Sequence, residues 1–337
     1  MSGRLAGMSG EGIMGDSAPP IPSPLPHFAV RLVAPDLTPW LAGNTGVRGF
    51  ISRDSGKAGP HVGLIALTHG NEIGGAIALA RLLEANLWPE HGRITFGFVN
   101  LPAFARFDPR QPTASRFVDE DMNRLWDPVV LDGPRQSSEL TRAREIRPLI
   151  DEIDILLDLH SMLWPSEPLI LCGTSEKGRA LALAIGQPEL VVADHGHASG
   201  RRIIDYPPFV DNNDPRAANL VEGGQHWEPE TVETILAAVA GVLRHAGMIG
   251  EHPALPPLPA IPPVPRFAEV IRTITAGSGN FSFVQPFRGG EVVAKGNTLI
   301  AVDGEEEIRT PCPDCLLVMP SLRPSRGHTA VRLARIL

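Results

Sequence analysis

Short runs of Val, Ile and Leu alternate, over the first two thirds of the chain, with stretches in which apolar residues recur at three- and four-residue spacing. Five of the short runs, residues 62–67, 94–99, 153–159, 169–172 and 218–221, predict strands. They are almost continuously apolar rather than alternating, the pattern of strands covered on both faces. Helical spacing fills residues 73–86, 138–151 and 231–246. The second of these contains Pro148, where a kink or interruption is expected, and the third closes at Gly247. Strands alternating with helices predict an α/β domain on a largely parallel or mixed sheet, spanning residues 28–250.

Between residues 253 and 265 seven of thirteen positions are proline, a composition that favours a stiff polyproline II spacer. Residues 251–265 are therefore expected to form a Pro-rich linker. Beyond it, residues 266–337 read as short strands divided by turn signals such as Arg288-Gly-Gly290 and Asp303-Gly304, which predicts a small all-β domain. Residues 1–27 mix Gly, Ser and Pro with single hydrophobes and lack the apolar stretch of a secretory signal, so a flexible N-terminal arm is expected.

Composition narrows the class of function. Hydrophobic residues make up 43% and charged residues 20%, the balance of a globular protein with a sizeable core. A net charge of -8 offers no basic footprint for nucleic acid or anionic lipid. No run approaches the roughly 20 apolar residues a membrane helix needs. Three cysteines, Cys172, Cys312 and Cys315, are too few for a disulfide framework and point to a reducing, cytoplasmic setting. The expected partner is a small molecule, with no nucleic acid and no membrane; a homo-oligomer is compatible with all of this.

The chemistry concentrates where strands end. In residues 64–75, LIALTHGNEIGG, His69 and Glu72 stand three apart at a strand-to-helix junction, a spacing that lets an imidazole and a carboxylate converge on a zinc ion. The bare His-x-x-Glu pattern arises about once by chance in a chain of this composition, so context must carry it. A second strand runs into Asp158-Leu-His160-Ser161 and a third into Glu222-Gly-Gly-Gln225. Ligands of open α/β sheets bind at the carboxyl ends of strands, so His69, Glu72, His160 and Glu222 are expected to meet. Two His and one Glu leave a fourth position for water, whose pKa zinc lowers to roughly 7, and a free carboxylate can take its proton. In the loop of residues 116–126, Arg116, Asn123 and Arg124 are candidates for holding an oxyanion and gripping a substrate carboxylate.

Together, His69-Gly-Asn-Glu72, Arg116 with Asp121-Met-Asn-Arg124, Asp158-Leu-His160-Ser161 and Glu222 resemble the succinylglutamate desuccinylase/aspartoacylase family, relatives of the zinc carboxypeptidases. The resemblance covers residues 62–250 and the β domain. It implies one zinc per chain on His69, Glu72 and His160, with Glu222 as general base and acid, Arg116 as oxyanion stabiliser, and Asn123 and Arg124 as substrate anchors. The fold it implies is a mixed-sheet, zinc carboxypeptidase-like catalytic domain with a small C-terminal, barrel-sandwich-like β domain. That β domain resembles biotinyl and lipoyl carriers, but its exposed hairpin, Val318-Met-Pro320, has no lysine, so covering the cleft mouth or contacting another subunit is expected instead.

One feature departs from the family pattern. The aspartoacylase branch has a substrate-binding tyrosine in its C-terminal region, whereas the only tyrosine here is Tyr206, ahead of Glu222. N-acetylaspartate is therefore not the expected substrate, and Arg201, Arg202 and Arg216 are candidates for a replacement anion contact. The expected activity is zinc-dependent hydrolysis of the amide bond of a small N-acyl amino acid or related carboxylate-bearing amide. The alternatives are a zinc carboxypeptidase acting on peptides and a non-catalytic carboxylate-binding protein on the same fold. His195, His197 and His226 match no motif and are expected to line the cleft or sit exposed. Cys312 and Cys315 lack a second pair to complete a site.

Overall fold

The computed structural model describes residues 28–337 other than 198, 258 and 260–262. The expected N-terminal arm, residues 1–27, and part of the Pro-rich segment lie outside the described residues. In chain order the α/β region contains β1 (Phe50–Asp54), β2 (His61–Ala66), α1 (Ile73–Glu84), β3 (Arg93–Phe98) and the short α2 (Leu101–Phe104) and α3 (Pro128–Leu131). It continues with α4 (Ser138–Ile150), β4 (Ile155–Met162), β5 (Leu169–Leu171), α5 (Glu176–Ile185), β6 (Leu190–Ala193), the short α6 (Pro207–Val210), β7 (Ala217–Gln225) and α7 (Pro229–His245). No helix follows. The remaining strands are β8 (Arg266–Thr275), β9 (Phe281–Phe283), β10 (Val292–Val293), β11 (Leu299–Asp303), β12 (Glu306–Arg309), β13 (Cys315–Val318) and β14 (Thr329–Ile336).

The predicted apolar runs form the middle of one mixed sheet, ordered β1-β3-β2-β4-β7-β5-β6-β8-β14-β13-β10. β3, β2, β4 and β7 are mutually parallel, while β1 and β5 run antiparallel to β3 and β7. Side-chain alternation explains why these strands are apolar throughout. Leu64, Leu157 and Val221 face Leu79 of α1 and Ile235 of α7, whereas Ile65, Leu156 and Leu220 face Leu140 and Ile146 of α4 and Trp126. α4 is capped by Ser137, whose hydroxyl accepts from Leu140 N–H at 3.0 Å. The interruption expected at Pro148 does not occur: the helix runs on to Ile150, since a proline this near its end leaves only the Arg144 carbonyl without a helical partner. Among the described residues no helix is long and apolar enough to cross a membrane.

The C-terminal strands are built into the same sheet. β8 pairs in parallel with β6, from Leu190 opposite Arg266 to Ala193 opposite Glu269, and β14 pairs antiparallel with β8. Ala268, Val270, Leu316, Val318 and Ala334 share a core with Leu190 and Val192 of the α/β region. On the opposite face Ile274, Leu317, Val331 and Leu333 close on Phe281, Ile300 and Ile308, where β9, β11 and β12 form a second, three-stranded sheet. The described part of the Pro-rich segment also packs down: Leu255 is buried in the main core, and Arg244 of α7 donates to the Pro256 carbonyl at 2.7 Å. A chain ending at His252 would leave the β6 edge unpaired and half a core uncovered. It is expected to self-associate in gel filtration, or to melt at least about 10 °C below the full chain by circular dichroism.

Candidate active site

Three strand ends deliver the site. β2 stops at Ala66, and the chain turns through Leu67, a non-glycine residue held at φ 62°, before Thr68 and His69. Gly70 lets this turn lie against the loop beyond α2: a Cβ there would sit 2.4 Å from the Ala103 carbonyl carbon and 2.5 Å from Ser115 O. α1 then starts at Ile73, fixing Glu72 at its mouth. On β4, Asp158 and His160 are two apart and so share a face. β7 lies alongside in parallel, with Glu222 opposite His160 in register.

The result is a buried cluster of His69, Glu72 and His160 whose ligand atoms all lie within 4.8 Å of one another. His69 Nδ1 is 2.7 Å from Glu72 Oε1, and His160 Nδ1 is 2.9 Å from Glu72 Oε2. The far side of each ring faces a carboxylate: His69 Nε2 is 2.9 Å from Asp121 Oδ1, and His160 Nε2 is 2.7 Å from Asp158 Oδ2. Thr68 Oγ1 donates to the other Asp158 oxygen at 2.9 Å. With Nε2–H donating to each aspartate and a cation in place of the protons at Nδ1, both Nδ1 lone pairs and a Glu72 oxygen can serve one ion. Two imidazole nitrogens and a carboxylate, each imidazole backed by a second carboxylate, are the donor set and outer support that zinc takes.

The titration behaviour has the same origin. Burial opposes ionisation of Glu72, yet the His69 and His160 imidazoles hold its pKa well below the usual carboxylate range. Burial likewise opposes charge on His160, but Asp158 and Glu72 raise its pKa well above the usual imidazole value. Glu222 is different. Burial first, and then the nearby Glu72 carboxylate, push its pKa up to about 8 against the offsetting His160, Arg116 and Arg332. Its Oε2 is buried without a hydrogen-bond partner among the described residues.

All seven residues expected from the sequence line one cleft of about 1160 Å³. Arg116 donates to Glu72 Oε1 at 3.2 Å and to Asp121 Oδ2 at 3.3 Å. Asn123 accepts Ile203 N–H on Oδ1 at 2.8 Å, and its Nδ2 is 3.5 Å from His160 Nε2. Arg124 donates to the Asn123 carbonyl at 2.6 Å and reaches Asp121 only at 3.8 Å. Desolvation by burial lowers its pKa to about 10. His195, His197 and His226 also line the cleft, and Ser161 Oγ bonds His226 Nδ1 at 2.8 Å. The C-terminal β region closes one side with Thr273, Thr275, Met319, Arg323, His328 and Arg332.

Other candidates fall away. Arg201 pairs with Asp127 at 3.0 Å and Arg216 with Asp214 at 2.6 Å, both outside the cleft lining, and Arg202 is spent on Asp194 and Asp205 at 2.7 Å each. Tyr206 is buried elsewhere, donating to Asp151 Oδ1 at 2.8 Å. Cys312 and Cys315 are free thiols buried in the small sandwich, and burial pushes Cys315 up to about 12. Sequence reasoning missed two groups. The supporting role of Asp158 was legible in its i, i+2 spacing to His160, whereas Arg332 lies so far along the chain that no local pattern signals it.

The fold and the cluster define a mixed α/β chain with a metal-competent His-Glu-His centre at the carboxyl edge of its sheet. The expected resemblance is borne out: residues 58–185 match the family described as Succinylglutamate desuccinylase/Aspartoacylase catalytic domain. Solved structures share the architecture well beyond that segment. The succinylglutamate desuccinylase of Vibrio cholerae superposes with a TM-score of 0.65 at 18% identity, covering 86% of each chain. The succinylglutamatedesuccinylase/aspartoacylase of Rhodobacter sphaeroides gives 0.61 at 18% identity over 86% of this chain and 88% of that one. The ectoine utilization protein EutE (DoeB) of Ruegeria pomeroyi, solved with product bound, gives 0.59 at 18% identity over 85% and 87%. No curated protein matches the chain.

Two predictions follow from the centre itself. Protein purified without added metal should carry about one zinc per chain by elemental analysis, His160→Ala should carry none, and Asp158→Asn should weaken affinity roughly 10- to 100-fold. The second uses Glu222. Because its folded pKa is raised from 4.5 to about 8, its protonated form favours the folded state, and that stability is present below pH 4.5 and lost as pH rises through about 8. Glu222→Gln stays neutral throughout. In chelated protein, its stability advantage over wild type should therefore grow between pH 5 and pH 8 by on the order of a few kcal/mol in urea unfolding.

Proposed function

We propose that this chain is a zinc-dependent deacylase that hydrolyses the amide bond of a small N-acyl amino acid or a related carboxylate-bearing amide. The observation that carries this reading is the convergence of both imidazole Nδ1 atoms on Glu72 beside a buried, unpartnered Glu222 carboxyl. His69, Glu72 and His160 would hold one zinc ion, which supplies Lewis acidity and lowers the pKa of a water to roughly 7. Glu222 takes a proton from the attacking water and returns it to the nitrogen of the leaving amine; the second water proton, left on the new carboxylic acid, also passes to the amine, so amide and water give carboxylate and ammonium. Its raised pKa suits a group that must both accept and donate near neutral pH. A cation in the centre would lower that value toward the working range by offsetting the Glu72 charge.

Arg116 lies against Glu72 and has its guanidinium at the cleft, where it can hold the oxyanion that develops on the acyl carbon. Arg124 keeps most of its donors free of protein partners, which suits a planar grip on a substrate carboxylate, and Asn123 beside it is fixed through Ile203. The C-terminal strands wall the cleft, which favours small substrates over polypeptides and weighs against the carboxypeptidase alternative. The intact donor set weighs against a non-catalytic binding protein.

The test is amine release from a panel of N-acyl amino acids. Glu222→Ala should keep its zinc and lose nearly all turnover; loss of zinc with turnover would make Glu222 a ligand instead. Arg116→Ala should lower kcat roughly 100- to 1,000-fold, the cost of an oxyanion donor. Arg124→Ala should chiefly raise KM. A tetrapeptide cleaved as efficiently as the N-acyl amino acids would favour the carboxypeptidase reading.

A further inference from the structure

Along β14, Val331 and Leu333 point into the small sandwich, whereas Arg332 between them points to the cleft. Its side chain is only 4% exposed. Nε lies 3.2 Å from Asp194 Oδ2, and Nη2 donates to His197 Nε2 at 2.6 Å. Both partners belong to the loop after β6, residues 194–202. Asp194 Oδ1 also takes Arg202 at 2.7 Å, and Arg202 in turn holds Asp205 at 2.7 Å. Two guanidiniums and two carboxylates thus form a charge-balanced buried network with one member on the C-terminal β region.

The loop presses on the substrate side of the cleft. A Cβ at Gly200 would fall 2.1 Å from the Arg124 carbonyl oxygen. Leu125 and Arg201 form a parallel bridge, and Trp126 N–H donates to Arg201 O at 3.2 Å. Ile203 N–H, just past the loop, donates to Asn123 Oδ1 at 2.8 Å. Every one of these contacts lands on residues 123–126. The described residues of the loop form no helix or strand of their own, and Arg332 ties them by its side chain to the C-terminal strands.

We propose that Arg332 is a positioning residue: by gripping Asp194 and His197 it holds residues 194–202 against Asn123 and Arg124, so the C-terminal β region sets the geometry of the substrate anchor. The proposal rests on the reading of Asn123 and Arg124 as anchors.

The test uses the full-length, zinc-loaded protein. Arg332→Met leaves Asp194 paired with Arg202, and His197→Ala removes the second tie while keeping every buried ion pair. In both variants hydrogen exchange, read by mass spectrometry, is expected to quicken at least about tenfold in segments covering residues 123–126 and 200–203, with β2 and β4 unchanged. In His197→Ala, KM for an N-acyl amino acid should rise at least about tenfold while kcat stays within about threefold and zinc content is unchanged; Arg332→Met, which also removes a cation that offsets Glu222, is read by exchange and KM alone. Arg332→Lys, with a point charge in place of a fork, should fall between wild type and Arg332→Met. Unchanged exchange in His197→Ala, or a fall in its kcat with KM held, overturns the proposal, and His197→Ala decides it alone if Arg332→Met does not fold. Exchange is read without turnover, so a wild type that hydrolyses no N-acyl amino acid would sink the functional reading and leave this one standing or falling on its own result.

Discussion

When both oxygens of a buried carboxylate face imidazole nitrogens at 2.7 and 2.9 Å, with each imidazole held from behind by another carboxylate, the group needs positive charge among its members, carried by ring protons or by a cation. Glu72 stands in that position, and much of the surrounding structure serves to keep it there. Leu67 accepts a left-handed backbone, Gly70 yields its side-chain space, and Arg116 lends a cation from the side. Burial of a carboxylate is costly, and the positive charge that offsets it comes here from Arg116 and the imidazoles. A divalent cation offsets it directly. The same constraint isolates Glu222, which is close enough to feel Glu72 and yet bonded to no donor among the described residues.

The sheet explains how residues so far apart in sequence reach one point. β2, β4 and β7 run in parallel, so their carboxyl ends lie at one edge and deliver His69, His160 and Glu222 together. The direction then reverses. β5 runs antiparallel to β7, β6 follows β5, and β8 and β14 extend the sheet past β6. That extension turns a C-terminal β region into the far wall of the cleft, with Arg332, Thr273 and Met319 facing the centre. The His-Glu-His cluster and Glu222 thus come from one half of the sheet, while the wall opposite is supplied by the other.

Much of this was legible in the residues alone, for identifiable reasons. β2, β3, β4 and β7 announce themselves because they are covered on both faces and hence apolar throughout, and the residues that follow β2 and end β4 and β7 are polar because they face the site. β1 was not legible, since Phe-Ile-Ser-Arg-Asp is a half-exposed edge strand with a mixed pattern. The pairing of β6 with β8 was also hidden: turn signals reveal that strands follow one another but not which edge they join. For the same reason the Pro-rich segment, read as a stiff spacer, gives no sign that Leu255 packs into the core. The search for a replacement anion contact went to Arg201, Arg202 and Arg216 because they lie near Glu222 in sequence, whereas partners already bound remove all three. Arg332 is beside the site only because β14 folds back across the sheet.

The claim on which the account depends is that one zinc ion sits between His69, Glu72 and His160 while Glu222 stays free to move protons. An anomalous difference map of the crystallised protein, collected on both sides of the zinc absorption edge, addresses both halves at once. The account predicts a single strong peak within bonding distance of His69 Nδ1, a Glu72 oxygen and His160 Nδ1, with the Glu222 carboxylate outside that shell. No peak in zinc-soaked crystals, or a peak that includes Glu222 among its ligands, would contradict it.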